Sequence, residues 1–435
     1  MSLRMKDAIL KMYNKKTKKS IHFLERMDIF LLLAILVLLI SPVVINFVLR
    51  LDSAIKVKDI YLSARFEEFF GKEITEKLTL DFMEQNPDLR VRLINPSPSS
   101  AGAQNQKSAQ DKISVPDIII FDEGAFSSLV DGEMLKPFES DSEKGEGQLA
   151  IPLVSFMDLL FYNIELLKAA GFDRPPKTRE EFLAYAKTVS GGNSGILANA
   201  AGAAISLSPD DAQALSRDIF SWIWAAGGDF WQEGENPIIN NRSMVRDISF
   251  LGSLYREGAL APDIFETTGE KRLEEFARGK IAMMTASTRS IPALREKMGD
   301  GAFGVTNIPG SGSAGKYGAG LTGFYAGISV TCKYHDRARE FLLFLAEHRP
   351  LLCAELKAVP GDAAQLIPGE YMRDDPYYSK AREIFESSQI VSGFYGKAGA
   401  QKFERAVLEE MRIFFESGRT AEQTAVAIQQ RWLEE

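Results

Sequence analysis

The pattern of hydrophobic and polar positions changes from one part of this 435-residue chain to another. Residues 30–49, FLLLAILVLLISPVVINFVL, carry no charge and match the length of a helix that crosses a bilayer core of about 30 Å. Farther on, strand-like runs alternate with helical periodicity. RVRLI (Arg90–Ile94) alternates as a half-exposed strand does, whereas PDIIIFD (Pro116–Asp122) is continuously apolar, as a strand buried on both faces is. The alternation predicts βαβ units and a mainly parallel sheet.

The stretch Phe161–Ser190 predicts two helices joined by a rigid turn. Apolar side chains recur at helical spacing up to Gly171, which takes the place of a left-handed C-terminal cap. Pro175–Pro176 then exclude a helix. Thr178 followed by Glu181 predicts a capping box, in which the hydroxyl accepts from the amide three residues on and the carboxylate reaches back.

The rest of the chain predicts further strands within a helix-rich background. Residues 164–300 and the last hundred residues are mostly helical in pattern, and Lys72–Gln85 is a helix that stops at Asn-Pro. LEEFARGKIAMM (Leu273–Met284) predicts a helix, a glycine turn and a strand. Asn95–Lys112 is rich in Ser, Gly, Ala and Gln and predicts a loop.

The N-terminal tail indicates how the apolar segment is oriented. Residues 1–28 hold eight Lys or Arg against three acidic residues, a net charge of +5, so the positive-inside rule places them in the cytoplasm. A cleaved signal peptide is the alternative, but its apolar core would be shorter and a small-x-small site should follow. Because Phe47–Asp52 is a poor cleavage site, we expect a retained anchor.

Charge and cysteine content narrow the class of function. The whole chain carries −8, which leaves −13 for everything after the basic tail. An acidic exported part does not suit a nucleic-acid partner, which needs a basic face. Cys332 and Cys353 are the only cysteines, and two lone cysteines do not make a disulfide scaffold. We expect both to be free and buried.

Candidate catalytic motifs are weak. Gly310–Tyr317 nearly matches a phosphate loop and Gly318–Gly323 fits GxGxxG, but no helix pattern follows either stretch. We therefore predict flexible loop glycines in both. The three histidines, His22, His335 and His348, have no neighbouring nucleophile or metal-ligand spacing. The sequence predicts no catalytic residue, no cofactor and no metal site.

Seven stretches occur in a fixed order between residues 57 and 435. They are LDFMEQNPDLRVRL, PDIIIFDEGAFSSLVDGEMLKPF, IPLVSFMDLLFYNIELLKAAGFDRPPKTREEFLAYAKTV, FARGKIAMM, FGVTNIPG, GFYAGISV and REFLLFLAE. In this order they resemble the extracellular solute-binding proteins of ABC importers, in the group that includes maltose- and other oligosaccharide-binding proteins. No single stretch is decisive, but seven in this order are a strong signal.

The resemblance implies an α/β fold of two lobes, the type II-like periplasmic-binding-protein fold, with three hinge crossings. It places lobe 1 at residues 57–158 and 306–347 and a helix-rich lobe 2 at 159–305 and 348–435. The apolar run and its basic flank add one N-terminal transmembrane helix before the lobes, with a basic cytoplasmic tail at 1–28 and a transmembrane anchor at 29–50. The turn at residues 161–190 would then fix the first layer of lobe 2. The solute would lie between the lobes, which close on it by a hinge motion.

The resemblance also implies which residues face the cleft. From lobe 1 they are Phe121, Asp122, Glu123, Ser155, Phe156, Phe324 and Tyr325; from lobe 2 they are Trp222, Trp224, Ser287, Thr288 and Arg289. Sugar-binding relatives often carry an aromatic residue at the place of Arg289, and a guanidinium suits an anionic ligand. Trp222 and Trp224 are alternatively core residues, and Asp122 alternatively only caps a helix. Phe66, Phe69 and Phe70 either line the cleft or pack.

The implied protein is the membrane-anchored, extracytoplasmic substrate-binding component of an ABC importer. It would bind a small solute, a carbohydrate or an anionic relative of one, without catalysis, and deliver it to the permease subunits. It would be a monomer that crosses the cytoplasmic membrane once. It would have no nucleic-acid partner. The retained membrane helix departs from the family norm of a cleaved signal or a lipid anchor. This leaves two alternatives: a ligand-binding sensor that signals to a membrane partner, and a non-binding scaffold.

Overall fold

The computed structural model describes residues 57–95, 115–138, 148–211, 216–227, 237–310, 318–359, 370–391, 397 and 399–434. The predicted tail and membrane segment, residues 1–50, lie outside this range, as does nearly all of the predicted loop at 95–112. Within the described ranges, none of the helices has the length and apolar character needed to span a bilayer.

The described strands form one hydrogen-bonded network. Their order is β2-β1-β3-β9-β5-β7-β6, with β4 and β10 pairing with β9 and β8 pairing with β5. The strands are β1 (Lys58–Ser63), β2 (Leu89–Ile94), β3 (Ile118–Asp122), β4 (Leu135–Lys136), β5 (Ala150–Asn163), β6 (Ala201–Ala204), β7 (Ile281–Ser287), β8 (Phe303–Thr306), β9 (Gly318–Ser329) and β10 (Gln389–Val391).

Helices flank the strands and dominate the C-terminal part. They are α1 (Arg65–Phe70), α2 (Lys72–Gln85), α3 (Glu123–Asp131), α4 (Ile164–Ala169), α5 (Arg179–Ser190), α6 (Ser221–Ala225), α7 (Arg242–Arg256), α8 (Gly269–Ala277), α9 (Ile291–Met298), α10 (His335–Glu347), α11 (Arg349–Leu356), α12 (Glu370–Asp374), α13 (Pro376–Ser387), α14 (Ala400–Ser417) and α15 (Ala421–Glu434). Short 3-10 turns occupy Gly195–Leu197 and Thr288–Ser290, and a π-helical turn occupies Ser216–Phe220.

The prediction of a mainly parallel sheet is wrong. β1 with β3 and β6 with β7 are parallel, but β9 runs antiparallel to β3 and β5, and β5 runs antiparallel to β7 and β8. The two long central strands, β5 and β9 of 14 and 12 residues, make these antiparallel pairs, and helices lie between them in sequence, so alternation of strands and helices does not fix strand direction here.

Strand β5 joins two parts of the network. Its first half, Ala150–Met157, pairs with β9, which in turn pairs with β3; we call this part the first sheet. Its second half, Asp158–Asn163, pairs with β7 and β8; we call this part the second sheet. Nearly every residue of β5 is buried, so a single continuous strand connects both sheets through the interior.

The joint at residues 161–190 has the predicted form. Gly171 adopts φ +89°, and the Thr178 hydroxyl accepts from the Glu181 amide at 3.2 Å. The return half of the capping box differs: the Glu181 carboxylate binds the Lys177 amide at 2.8 Å and both terminal nitrogens of Arg174, instead of the Thr178 amide. The Pro-Pro turn is therefore held by an exposed bidentate ion pair as well as by the cap.

The predicted loop at Gly318–Gly323 is instead the first half of β9, which corrects that prediction. Its glycines allow neighbouring groups to pack closely against the strand. A β-carbon on Gly320 would lie 2.6 Å from Trp224 Cε3, and one on Gly323 would lie 2.2 Å from the Val154 carbonyl oxygen. The glycines thus let the strand pass against a tryptophan and a neighbouring backbone, a role that also produces a GxGxxG pattern.

The chain divides into two compact units, one of residues 1–59 and 86–90 and one of residues 60–85 and 91–435. In the described part of the small unit, the Lys58 amide donates to the Asp88 carbonyl at 2.9 Å. In the large unit, Cys332 and Cys353 are both free and buried, as predicted.

Candidate functional site

The turn after β7 lies against the midpoint of β5. Ser287 pairs with Asp158, and the Thr288 hydroxyl accepts from the Met157 amide at 3.1 Å. The Ser287 hydroxyl accepts from the Arg289 amide at 3.3 Å and so caps the 3-10 turn that carries Arg289. Ser287 and Thr288 are buried, whereas the Arg289 side chain is exposed. The second sheet therefore presents Arg289 at the place where the first sheet begins.

The Arg289 side chain contacts a group of phenylalanines from the first sheet and α1. The guanidinium carbon of Arg289 lies 4.9 Å from the ring centre of Phe324 and 5.9 Å from that of Phe156. Phe324 is stacked on Phe69 at 3.8 Å with nearly parallel planes, and Phe156 meets it edge-on at 5.7 Å. Phe70 also contacts Phe324 edge-on, at 6.0 Å. Residues from three distant stretches of sequence thus converge around one ring.

The start of α3 adds two carboxylates to this region. Asp122 caps the helix by accepting from the Ala125 amide at 3.0 Å, and it lies 3.6 Å from the Arg65 guanidinium. Glu123 is buried and accepts from the Gly323 amide at 3.0 Å. Burial raises the pKa of Glu123 to about 7, against the opposing effects of backbone hydrogen bonds and the charge of Arg217. Glu123 therefore titrates near neutrality.

A buried ion pair lies where β5 passes from one sheet to the other. The Asp158 carboxylate lies 3.2 Å from Arg217 Nε and accepts from the Ser221 hydroxyl at 3.2 Å. Because Arg217 also lowers the pKa of Glu123, its charge acts on carboxylates of both sheets. The arginine stands in the π-helical turn before α6.

Several predicted site residues are packed into the interior. Phe121 and Tyr325 are buried with Leu135 and Ala150, and both rings contact Phe126. Ser155 is buried and exchanges both backbone hydrogen bonds with Val359 at 2.8 Å. Burial raises the pKa of Tyr325 above that of a free tyrosine, the charge of Glu123 adding to the effect.

Trp222 and Trp224 lie in the largest hydrophobic cluster, with exposed fractions of 2% and 1%. Trp222 meets Phe182 edge-on at 4.8 Å, and Trp224 contacts Phe220 at 5.8 Å. The structure therefore agrees with the alternative that these two tryptophans are core residues. Asp122 likewise performs the capping role that the sequence left open.

Sequence reasoning missed three charged residues of this region: Arg65, Asp158 and Arg217. Asp158 carried a usable signal, since it is the only charge within the apolar run of β5. Arg217 and Arg65 carried none, because an arginine at a helix start is ordinary until its partner is known. Both partners lie more than fifty residues away in sequence.

A second set of contacts joins α3 to the start of α14. The Gln401 side-chain amide donates to the Ser128 hydroxyl at 2.6 Å and to the Gly124 carbonyl at 3.3 Å. The Gly399 amide donates to the Asp131 carboxylate at 2.8 Å. These contacts, which we call the rim contacts, lie at the surface and connect a helix of the first sheet to the C-terminal helices.

The described residues include no group of three or more His, Cys, Asp or Glu placed to hold a metal ion.

Comparisons with known proteins identify relatives. Residues 63–350 match a family model described as bacterial extracellular solute-binding protein. A protein of Deinococcus radiodurans, described as a probable ABC transporter-binding protein, is 24% identical over 250 residues, which is 55% of this chain and 57% of that protein. The match thus spans little more than half the length of this relative.

Solved structures share the fold. The GacH receptor of Streptomyces glaucescens, determined unliganded and with acarbose, has a TM-score of 0.61 and 19% identity, covering 86% of this chain and 97% of its own. The cyclic alpha-maltosyl-1,6-maltose binding protein of Arthrobacter globiformis has a TM-score of 0.65 and 16% identity, covering 86% and 98%. At these identities the similarity establishes a common two-lobe α/β fold.

Proposed function

We propose, since the chain belongs to the family of bacterial extracellular solute-binding proteins, that it is the substrate-binding component of an ABC importer. It binds a carbohydrate-like solute between its two lobes, without chemistry, and delivers it to the permease subunits. The lobes are those expected from the sequence, residues 57–158 with 306–347 and residues 159–305 with 348–435. The binding protein acts as a monomer and has no nucleic-acid partner.

One observation carries the proposal: Arg289, at the C-terminal end of β7, lies over the Phe156 and Phe324 rings that belong to the other sheet. In open α/β folds, ligands bind beyond the carboxyl ends of strands, where the topology changes. Here that place combines aromatic surface, a guanidinium and the titrating Glu123. Apolar contact and a few convergent polar groups are what a small-molecule site requires.

The ligands of related structures and the side chains of the site both favour a carbohydrate-like solute. GacH binds acarbose and the Arthrobacter protein binds a cyclic maltosyl-maltose, so both carry carbohydrate ligands. Carboxylates and guanidinium groups suit the hydroxyls and acidic groups of a sugar. Of the twelve residues expected at the cleft, Phe156, Phe324, Thr288, Arg289 and Glu123 are those we assign to the solute-binding region.

We further propose that the protein remains anchored in the cytoplasmic membrane. The uncharged run of residues 30–49 would be the single span, with the basic residues 1–28 in the cytoplasm and the lobes outside. Anchoring keeps the binding protein next to the permease. In carbonate and high-salt washes the full chain should stay in the membrane fraction with its N-terminus intact. Recovery of a soluble, N-terminally trimmed protein would contradict the anchor and leave the binding function standing.

Binding is tested by a thermal-shift screen of the full chain in a detergent without a sugar headgroup. The compounds are neutral sugars, sugar acids, amino acids and polyamines. A solute that binds only the folded protein raises its stability by about 2.7 kcal/mol at a hundredfold excess over Kd, a shift of several degrees. A shift with sugars or sugar acids supports the proposal. A shift with amino acids or polyamines alone overturns the carbohydrate assignment, and no shift with any compound favours a non-binding scaffold.

A further inference from the structure

The Arg289 guanidinium differs from the other arginines around the candidate site. Arg65 lies 3.6 Å from Asp122, and Arg217 lies 3.2 Å from Asp158. Arg289 has no acidic partner among the residues that the structure describes; its guanidinium contacts only the faces of Phe156 and Phe324. A cation at the edge of a partly desolvated aromatic site, with no counter-charge, is positioned to receive an anion.

The aromatic surfaces of the site are already covered. One face of Phe324 is stacked on Phe69 at 3.8 Å, and Arg289 lies over the same ring. Trp222 and Trp224 are in the core. The described rings therefore offer little free face on which a neutral sugar could stack. The exposed group that remains is the guanidinium, with its planar set of N–H donors.

The nearby carboxylates do not neutralise Arg289. Asp122 and Asp158 are each committed to another arginine and to a further hydrogen-bond donor. Glu123 is bound to the Gly323 amide, and because burial raises its pKa to about 7, it is roughly half protonated at neutral pH. Among these groups, the positive charge of the three arginines therefore exceeds the negative charge of the three carboxylates.

We propose that the solute is an acidic sugar, and that its carboxylate accepts a pair of hydrogen bonds from the Arg289 guanidinium. A carboxylate matches the fork geometry and balances one charge with one charge. A dianionic phosphate would bring one negative charge more than the single guanidinium balances. The inference rests on the proposed solute-binding function and names its substrate class, with Arg289 as the residue that determines specificity.

The test compares matched sugar pairs on the full chain by isothermal titration calorimetry, again in a detergent without a sugar headgroup. The pairs are galacturonate and galactose, glucuronate and glucose, and digalacturonate and its dimethyl ester. We expect at least one acid to bind about tenfold or more tightly than its neutral partner, since the members of each pair differ by one charged carboxylate, or by two in the digalacturonate pair.

Substitutions then assign the difference to Arg289. Arg289→Gln should weaken binding of the acid about tenfold or more and leave the neutral partner unchanged, because it removes the charge alone. Arg289→Lys should keep part of the affinity, since a point charge replaces the fork. The matched control is Arg278→Gln, which should change nothing; Arg278 is exposed, directly follows α8 and pairs with Glu274 at 3.5 Å.

The outcomes separate the acidic-sugar inference from the proposed solute-binding function. Equal or tighter binding of the neutral sugars, or acid binding that survives in Arg289→Gln, overturns the acidic-sugar inference while the solute-binding function stands. Binding of no member of any pair overturns the inference and also removes the support for a sugar ligand.

Discussion

The Glu123 carboxylate accepts a 3.0 Å hydrogen bond from the Gly323 amide, which fastens the first turn of α3 to the middle of β9. The carboxyl is buried, and its pKa is raised from 4.5 to about 7. Between these two values the folded protein holds a proton that the unfolded chain has released. The free energy of unfolding therefore falls as pH rises through this window and levels off above it.

Replacement of this carboxyl should remove that pH dependence. Glu123→Gln keeps an oxygen acceptor for the Gly323 amide but cannot ionise. Relative to this variant, the wild-type protein should lose up to about 3 kcal/mol of stability between pH 4.5 and pH 7. Thermal unfolding at pH 5, 6, 7 and 8 measures the difference, with the exposed Glu68→Gln on α1 as the control. Parallel profiles for wild type and Glu123→Gln would contradict the assignment.

The buried Asp218–Arg272 pair should be among the most sensitive charged pairs to substitution. Asp218 is fully buried and accepts from the Ser206 amide at 2.6 Å and from the Thr285 hydroxyl, in addition to pairing with Arg272. Asp218→Asn leaves the buried Arg272 without its ion-pair partner, so we expect a loss of about 3–5 kcal/mol. Urea unfolding checks this value. Glu274→Gln, which breaks only surface pairs, should leave the midpoint unchanged.

Close packing at Gly320 predicts coupling with Trp224. Gly320→Ala places a β-carbon 2.6 Å from the indole, an overlap that should cost about 1–3 kcal/mol. In a Trp224→Phe background the smaller ring should absorb much of that cost. A double-mutant cycle of urea midpoints measures the coupling, and strictly additive effects would show that the two residues do not press on each other.

Loss of the rim contacts should shift the protein towards an open cleft. Gln401→Ala removes the hydrogen bonds to Ser128 and Gly124, about 1 kcal/mol or roughly fivefold in the ratio of closed to open forms. Spin labels at Leu80→Cys and Leu433→Cys, both exposed positions, report the separation of the lobes by electron paramagnetic resonance.

The native thiols should not interfere with this labelling, because burial raises the pKa of Cys332 to about 11 and of Cys353 to about 12. Arg405→Ala, exposed on the same helix as Gln401, is the control and should give the wild-type distance distribution. An unchanged distribution in Gln401→Ala would show that the rim contacts do not hold the lobes.

Local structure was predictable wherever the signal was local. Helix α2 runs from Lys72 to Gln85 as predicted, because Asn-Pro ends it, and Gly279 turns the chain between α8 and β7 with φ +71°. Strand direction was not predictable in this way. Ile118 of β3 pairs with Ile328 of β9, and nothing near either residue specifies an antiparallel partner so distant in the chain.

The candidate site was predictable in outline and not in detail. The resemblance named Arg289 and Phe324, which the structure brings together. It also named Trp222 and Trp224, which pack in the core, because an aromatic residue at helical spacing has the same pattern in a core and in a cleft. Arg217 was missed because its importance depends on Asp158, a partner 59 residues away.

The position of β9 between β3 and β5 determines when the first sheet can be completed. Synthesis produces β3 and β5 early, but each lacks its β9 neighbour until the chain has been made as far as Ser329. Contacts this distant in sequence form slowly, and their absence leaves the isoleucine-rich edge of β3 exposed. The first sheet is therefore completed late in synthesis, after the strands β6 to β8 of the second sheet have already been made.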